Sequence, residues 1–255
     1  MQLYYEQSGH GPDVVLLHGW GLHGGVWTQL VPALAAHFRV TVLDLPGHGR
    51  SPELPAEYSL KNLVELVVPI LTGPAIWIGW SLGALIALRA ARDKIETVGK
   101  VVLVAATPRF VQGHDWRCAV EASVFQQFAR DLTRDYPATL RRFLSLQLGP
   151  ETQGRTLLRE LRGLLLTQPA PRPAALQAGL DILCNTDLRA ELSSIPAPVR
   201  IVHGARDRLV PLAAAQYLAA QLPHARLTVL PGAGHAPFLS HARDFTEALL
   251  PILYD

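Results

Sequence analysis

Cysteine is scarce in this chain: Cys118 and Cys184 are the only two, far apart, and neither belongs to a CxxC pair or a Cys/His cluster. That excludes a disulfide framework and a structural zinc site, and it suits a reducing cytoplasmic setting. An excess of charge of one sign is also missing, with 23 Lys and Arg against 21 Asp and Glu for a net charge of +2. A protein that wraps nucleic-acid phosphates carries a larger positive surplus, so nucleic acid is not an expected partner. Lysine is rarer still, at Lys61, Lys94 and Lys100 only. Genome composition accounts for the arginine bias, although arginine also suits bidentate contacts to carboxylate and phosphate. No apolar run approaches the ~20 residues that span a bilayer. The opening Met1-Gln2-Leu3-Tyr4-Tyr5-Glu6 has no basic segment leading into an apolar one, so neither a membrane span nor a cleaved secretion signal is expected.

What is present is material for a large core, since 49% of the 255 residues are apolar and only 17% are charged. Short apolar runs alternate with helix-like stretches through the first half, the pattern of a mostly parallel central sheet with helices on both faces. Strands are expected at Leu3–Ser8, Val14–His18, Val40–Leu45, Ala75–Gly79 and Val101–Ala105. Helices are expected at about Val26–His37, at Ser59–Leu71 with Ser59 as N-cap, and at Leu82–Arg92. The rhythm stops at Pro108 and resumes near Pro198 with Val199–His203, a helix over Pro211–Gln221, the strand Leu227–Leu230 and a closing helix over about Ala242–Leu253. The fold class is therefore α/β, with a core formed by residues 1–108 and 191–255. Residues 109–190 read as a helical insertion, with amphipathic stretches at Val120–Leu132, Pro137–Leu146 and Thr152–Leu166.

Gly79-Trp80-Ser81-Leu82-Gly83 matches G-x-S-x-G and stands between an apolar strand and an Ala-rich helix. In that context the serine occupies a strained turn at the strand end, and small residues two positions to either side let neighbouring backbone approach. Serine is a weak nucleophile at neutral pH and needs a base that is itself oriented by an acid. His235, in the glycine-rich Pro231–Phe238 loop after the last strand, is the expected base. Asp207, in the loop after the preceding strand, is the expected acid; its rivals are Asp44, Asp181 and Asp187. His10, His23, His37, His114, His224 and His241 read as surface or loop positions, and His18, His48 and His203 as structural or hydrogen-bonding ones.

Acyl transfer also needs donors aimed at the oxyanion. The backbone N–H of Leu82, at the helix start, is one candidate. That of Trp20, in His18-Gly19-Trp20-Gly21 after the second strand, is another, although its indole also reads as a packing aromatic. This scheme needs no cofactor and no metal.

With His18-Gly19, Asp44–Ser51, the elbow at 79–83, Asp207 and His235, the chain resembles an α/β-hydrolase. Leu17–Leu22, Trp77–Gly83, Arg142–Gln147 and Gly234–Phe238 further resemble the BioH-type pimeloyl-[acyl-carrier protein] methyl ester esterases of biotin synthesis, over nearly the whole chain. The resemblance implies a cytoplasmic, monomeric carboxylesterase that releases methanol from the methyl ester of pimeloyl-acyl carrier protein. Ser81, Asp207 and His235 fall on that family's triad. Trp20, Leu82, Phe143, Leu144, Ser145, Leu146 and Gln147 fall on its substrate-contacting positions, the last five in a helical lid. The pattern departs most from the family around Leu148–Leu166.

Across residues 130–162 of the insertion seven arginines (Arg130, Arg134, Arg141, Arg142, Arg155, Arg159 and Arg162) outnumber four acidic residues, Asp131, Asp135, Glu151 and Glu160. An acidic carrier protein docking there, at Arg142, Arg155 and Arg159 among others, is one reading, and a solvated helix face with i,i+4 pairs is the other. Trp80, Phe143, Leu144 and Leu146 line an acyl channel or form lid core. Other reactions on the same scaffold remain open: general short-chain esterase acting on small esters, lactonase, C–C hydrolase or acyltransferase. A receptor that keeps only the hydrolase shell is the alternative of another class.

Overall fold

The computed structural model describes residues 2–135, 138, 139, 142, 163 and 167–255. Its centre is a seven-stranded sheet in the order β1-β3-β2-β4-β5-β6-β7, formed by Tyr5–Ser8, Asp13–Leu17, Arg39–Leu43, Ala75–Trp80, Val98–Val104, Val199–Gly204 and Ala225–Leu230, numbered β1 to β7 along the chain. Only β1 runs antiparallel, against β3; every other pairing is parallel. Residues of β2 are buried throughout, as a strand covered on both faces requires, and its Val-Val-Leu-Leu run supplies nothing for water to solvate.

Helices α1 (Val31–Ala35), α2 (Leu60–Val67) and α3 (Leu82–Asp93) belong to the first half, and α4 (Ala122–Arg134) and α5 (Pro173–Asn185) lie between β5 and β6. The last three are α6 (Leu212–Gln221), α7 (Pro237–Ser240) and α8 (Ala242–Tyr254). Ser59 caps α2 as expected, its side chain accepting from Asn62 N–H. The helix expected over Val26–His37 divides into a 3-10 turn at Gly24–Trp27 and the short α1. The helix expected to run to Leu71 closes as a 3-10 turn at Val68–Ile70 around Pro69, whose ring cannot donate a helical hydrogen bond.

Among the described residues the chain between Val104 and Val199 contributes no strand to the sheet and makes only isolated bridges, such as Val111 to Val120. The expected helix at Val120–Leu132 is present as α4, while those at Pro137–Leu146 and Thr152–Leu166 lie outside the described residues except at positions 138, 139, 142 and 163. One helix not expected from the sequence is α5, which opens with Pro173 in its first turn. The two stems of this segment meet where Leu188 N–H donates to Pro108 O at 3.0 Å. Arg109 and Arg189 there share the carboxylates of Asp115 and Asp187.

Because β2, β4, β5, β6 and β7 run parallel, the loops that follow β2, β4, β6 and β7 emerge on one edge of the sheet. The strand order reverses between β2 and β4, which creates the crevice where open α/β sheets place their chemistry.

Candidate active site

Ser81 joins β4 directly to α3 and adopts φ 56°, ψ −111°. Among the described residues only Ala105 shares its positive φ without being glycine. L-residues avoid this region, so surrounding contacts must hold Ser81 there. Its N–H donates to Val104 O at 3.1 Å, and its carbonyl accepts from Ala84 N–H at 3.0 Å. A Cβ on Gly79 would collide with the Gly83 carbonyl, and one on Gly83 with the Leu17 carbonyl, so this sharp turn demands both flanking glycines.

Asp207 and His235, expected from separate loops, are joined: His235 Nδ1 lies 2.8 Å from Asp207 Oδ2, and both side chains are buried. A carboxylate accepts, so Nδ1 carries the proton and Nε2 is left as the basic nitrogen. The other oxygen of Asp207, Oδ1, accepts from the N–H groups of Leu209 and Val210 at 2.8 and 2.9 Å. The turn behind it is braced by His203, whose ring Nε2 bonds Val210 O at 2.9 Å. Burial pushes the pKa of His203 down. The three rival acids are committed elsewhere. Asp44 accepts from Gly24 and Arg50 N–H, Asp181 from Gln177, and Asp187 from Arg109 and Arg189.

Trp80, beside Ser81, approaches the His235 ring with centroids 5.7 Å apart and packs edge-to-face on Phe238. No hydrogen bond joins Ser81 Oγ to the His235 ring among the described residues; in ligand-free hydrolytic sites this contact is often long and tightens around substrate.

Leu82 is the first residue of α3, and the opening N–H groups of a helix have no intrahelical acceptor. On the opposite side, His18 fixes the Gly19–Trp20 peptide. Its Nε2 accepts from Leu45 N–H at 2.9 Å, which leaves Nδ1–H to donate to Gly19 O at 2.8 Å. A trans peptide points its C=O and N–H in opposite directions, so anchoring Gly19 O also orients the Trp20 N–H. Burial, aided by nearby His48, holds His18 well below the usual histidine pKa and so keeps it neutral for this double role. His48 is likewise buried, with a pKa pushed down to about 4 by desolvation. His23, read from sequence as a surface or loop position, does lie in a loop but is only 3% exposed, because it caps the 3-10 turn at Gly24–Trp27.

Above these residues lies a cleft of about 560 Å³, part of it open to solvent. Among the described residues Trp20, Phe110, Val120, Val124, Phe125, Phe128, Leu180, Leu183, Leu209 and His235 line it, and of these only His235 has a titratable side chain. Trp80 is packed beneath the His235 loop rather than on the cleft wall. Most of the lining residues were not singled out from the sequence. Val124, Phe125 and Phe128 fall inside the expected amphipathic α4, and the Leu176, Leu180, Leu183 spacing after Pro173 would have revealed α5.

Arg142 pairs with Asp131 at 2.8 Å on an exposed surface. Phe143, Leu144, Ser145, Leu146, Gln147, Arg155 and Arg159 lie outside the described residues. Among the described residues no group of three or more His, Cys, Asp or Glu side chains is arranged to hold a metal ion. No helix among them is long and apolar enough to cross a membrane.

A serine at a strained strand-to-helix turn, a histidine–aspartate pair on the following loops and a mostly parallel sheet beneath them define a class, and the sequence agrees with it. Residues 14–248 match the model of the alpha/beta hydrolase family, and the chain belongs to that family. More specifically, it is 47% identical over 247 residues, 97% of each chain, to a protein of Xanthomonas campestris named pimeloyl-[acyl-carrier protein] methyl ester esterase. A protein of the same name from Nitrosomonas europaea is 45% identical over 246 residues, 96% of this chain and 97% of the relative. Among solved structures, an esterase from Exiguobacterium antarcticum superposes with a TM-score of 0.90 at 24% identity, covering 99% of this chain and 96% of its own. A bromoperoxidase from Bacillus anthracis reaches 0.91 at 25% identity, covering 99% and 95%. These last two carry the fold.

Proposed function

We propose that this protein is a serine carboxylesterase that hydrolyses the methyl ester of pimeloyl-acyl carrier protein, releasing methanol in biotin synthesis. The observation that carries the reading is the 47% identity, over 97% of both chains, to a relative of that name. The chemistry fits the site. Ser81 attacks the ester carbonyl while His235 Nε2 takes its proton, and Asp207, 2.8 Å from Nδ1, stabilises the imidazolium. The N–H groups of Leu82 and Trp20 receive the oxyanion. Protonated His235 gives its proton to the departing methanol and, neutral again, activates the water that frees the acyl chain from Ser81.

The apolar cleft suits the methylenes of a medium-length acyl chain, whose burial contributes about 0.8 kcal/mol per CH₂. Residues 109–190 act in this scheme as a lid over the serine. Their arginines, among them Arg142, Arg155 and Arg159, attract an acidic carrier protein, with Phe143–Gln147 along the path of the acyl arm. Free thiols at Cys118 and Cys184 suit a cytoplasmic location.

The test is methanol release from the pimeloyl-acyl carrier protein methyl ester by the wild-type protein and by Ser81→Ala, beside p-nitrophenyl butyrate. Efficient wild-type release that the mutation abolishes is the expected result. Butyrate hydrolysis without turnover of the pimeloyl ester would overturn the substrate and leave a general esterase.

A further inference from the structure

Glycine inside a helix is unfavourable relative to alanine, yet Gly179 sits at the middle of the 13-residue α5. Its surroundings give the reason. A Cβ at this position would lie 2.8 Å from Cδ1 and 3.3 Å from Nε1 of the Trp20 indole, and 3.5 Å from Cδ2 of Leu82. One helical residue therefore rests on the side chains of both residues whose backbone N–H groups are assigned to the oxyanion. One turn earlier, the Leu176 carbonyl accepts a hydrogen bond from Trp20 Nε1 at 2.8 Å. The indole is fully buried, and Phe128 of α4 meets it edge-on with centroids 5.3 Å apart.

We infer that Gly179 is a positioning residue for the oxyanion site. With Leu176 it seats the Trp20 indole against α5, so that the position of this helix sets the spacing between the Trp20 and Leu82 backbone donors. The Gly19 carbonyl is anchored from below by His18, as described above, and the indole is anchored from above by α5. The peptide between these two anchors carries the Trp20 N–H. A small shift of the indole therefore moves a donor whose value depends on aim.

The inference rests on the reading of Ser81 as nucleophile, and its test separates the two. The full-length wild type, Gly179→Ala, Trp20→Phe and the double variant are compared for the rate of phosphonylation by a fluorophosphonate, for kcat and KM on p-nitrophenyl butyrate, and for Tm. Gly179→Ala is expected to slow phosphonylation and kcat by roughly 10- to 100-fold with KM little changed. Its Tm is expected to change little, because alanine's gain in the helix offsets much of the strain of displacing the buried indole. In the Trp20→Phe background, where the smaller ring leaves room for the methyl group, the same substitution is expected to cost less than threefold, the non-additivity of residues in contact. A Gly179→Ala protein as reactive as wild type would overturn the inference, as would a loss of activity that follows a fall in Tm or persists undiminished in the double variant. An unreactive wild type would instead overturn the nucleophile assignment.

Discussion

The indole Nε1 of Trp80 donates to the backbone carbonyl of His235 at 2.8 Å, across 155 residues of sequence. The residue beside Ser81 thus holds the loop that carries His235, and it does so through backbone, leaving the imidazole ring to Asp207. Both ends of this bond are buried, so its loss leaves a carbonyl without a partner at a cost of about 1–3 kcal/mol.

Trp80→Phe keeps most of the packing on Phe238 and removes only that donor. Turnover of p-nitrophenyl butyrate should fall with little change in KM, because the His235 loop loosens while the cleft keeps its walls. Unchanged kcat in a folded variant would show that the loop needs no such tether.

Asp207→Asn preserves shape but no longer dictates which ring nitrogen of His235 carries the proton. A fall in kcat of about 10³–10⁴-fold is expected with KM nearly constant. Circular dichroism should remain that of the parent. A loss below tenfold would remove Asp207 from the triad.

Leu183→Phe adds volume to the cleft wall from α5, where Leu183 is 5% exposed. The kcat/KM for octanoyl esters should drop relative to acetyl esters, measured on a p-nitrophenyl series. Equal effects on all chain lengths would mean that the acyl chain does not enter this cleft.

Stability should decline in mild acid. His18, His48 and His203 are held neutral by burial, with pKa values below the ordinary 6.5 and that of His48 near 4. The unfolded chain therefore binds more protons than the folded one between about pH 6.5 and 4, so stability is complete above this window and is lost as pH falls through it. A shift of that size at His48 corresponds to about 3 kcal/mol over the whole interval. Urea midpoints at pH 7.5, 6, 5 and 4.5 measure it, and a flat profile would contradict the neutral burial of these rings.

Local signals in the sequence carried the sheet and pointed to the candidate site residues. A parallel strand covered on both faces has to be apolar along its whole length, and the runs at Val14–Leu17 and Val101–Val104 are. A serine forced to a positive φ needs small neighbours, and Gly79 and Gly83 stand beside it. Chain order after the elbow points to Asp207 and His235, and among the four acids only Asp207 stands in the strand-end loop next before that of His235. The short-range pattern also exposed α4.

What only the tertiary structure decided are relations between segments remote in sequence. The Asp207–His235 bond, the Trp80 tether, the neutral His18 bridging β2 to β3 and the seat of Trp20 on α5 all depend on groups brought together after the sheet has closed. Gly179 is the clearest case. In the sequence it is an unfavourable residue in a helix that was not foreseen, and its purpose is space, which propensity and periodicity do not encode because the indole that fills it comes from Trp20, 159 positions earlier in the chain.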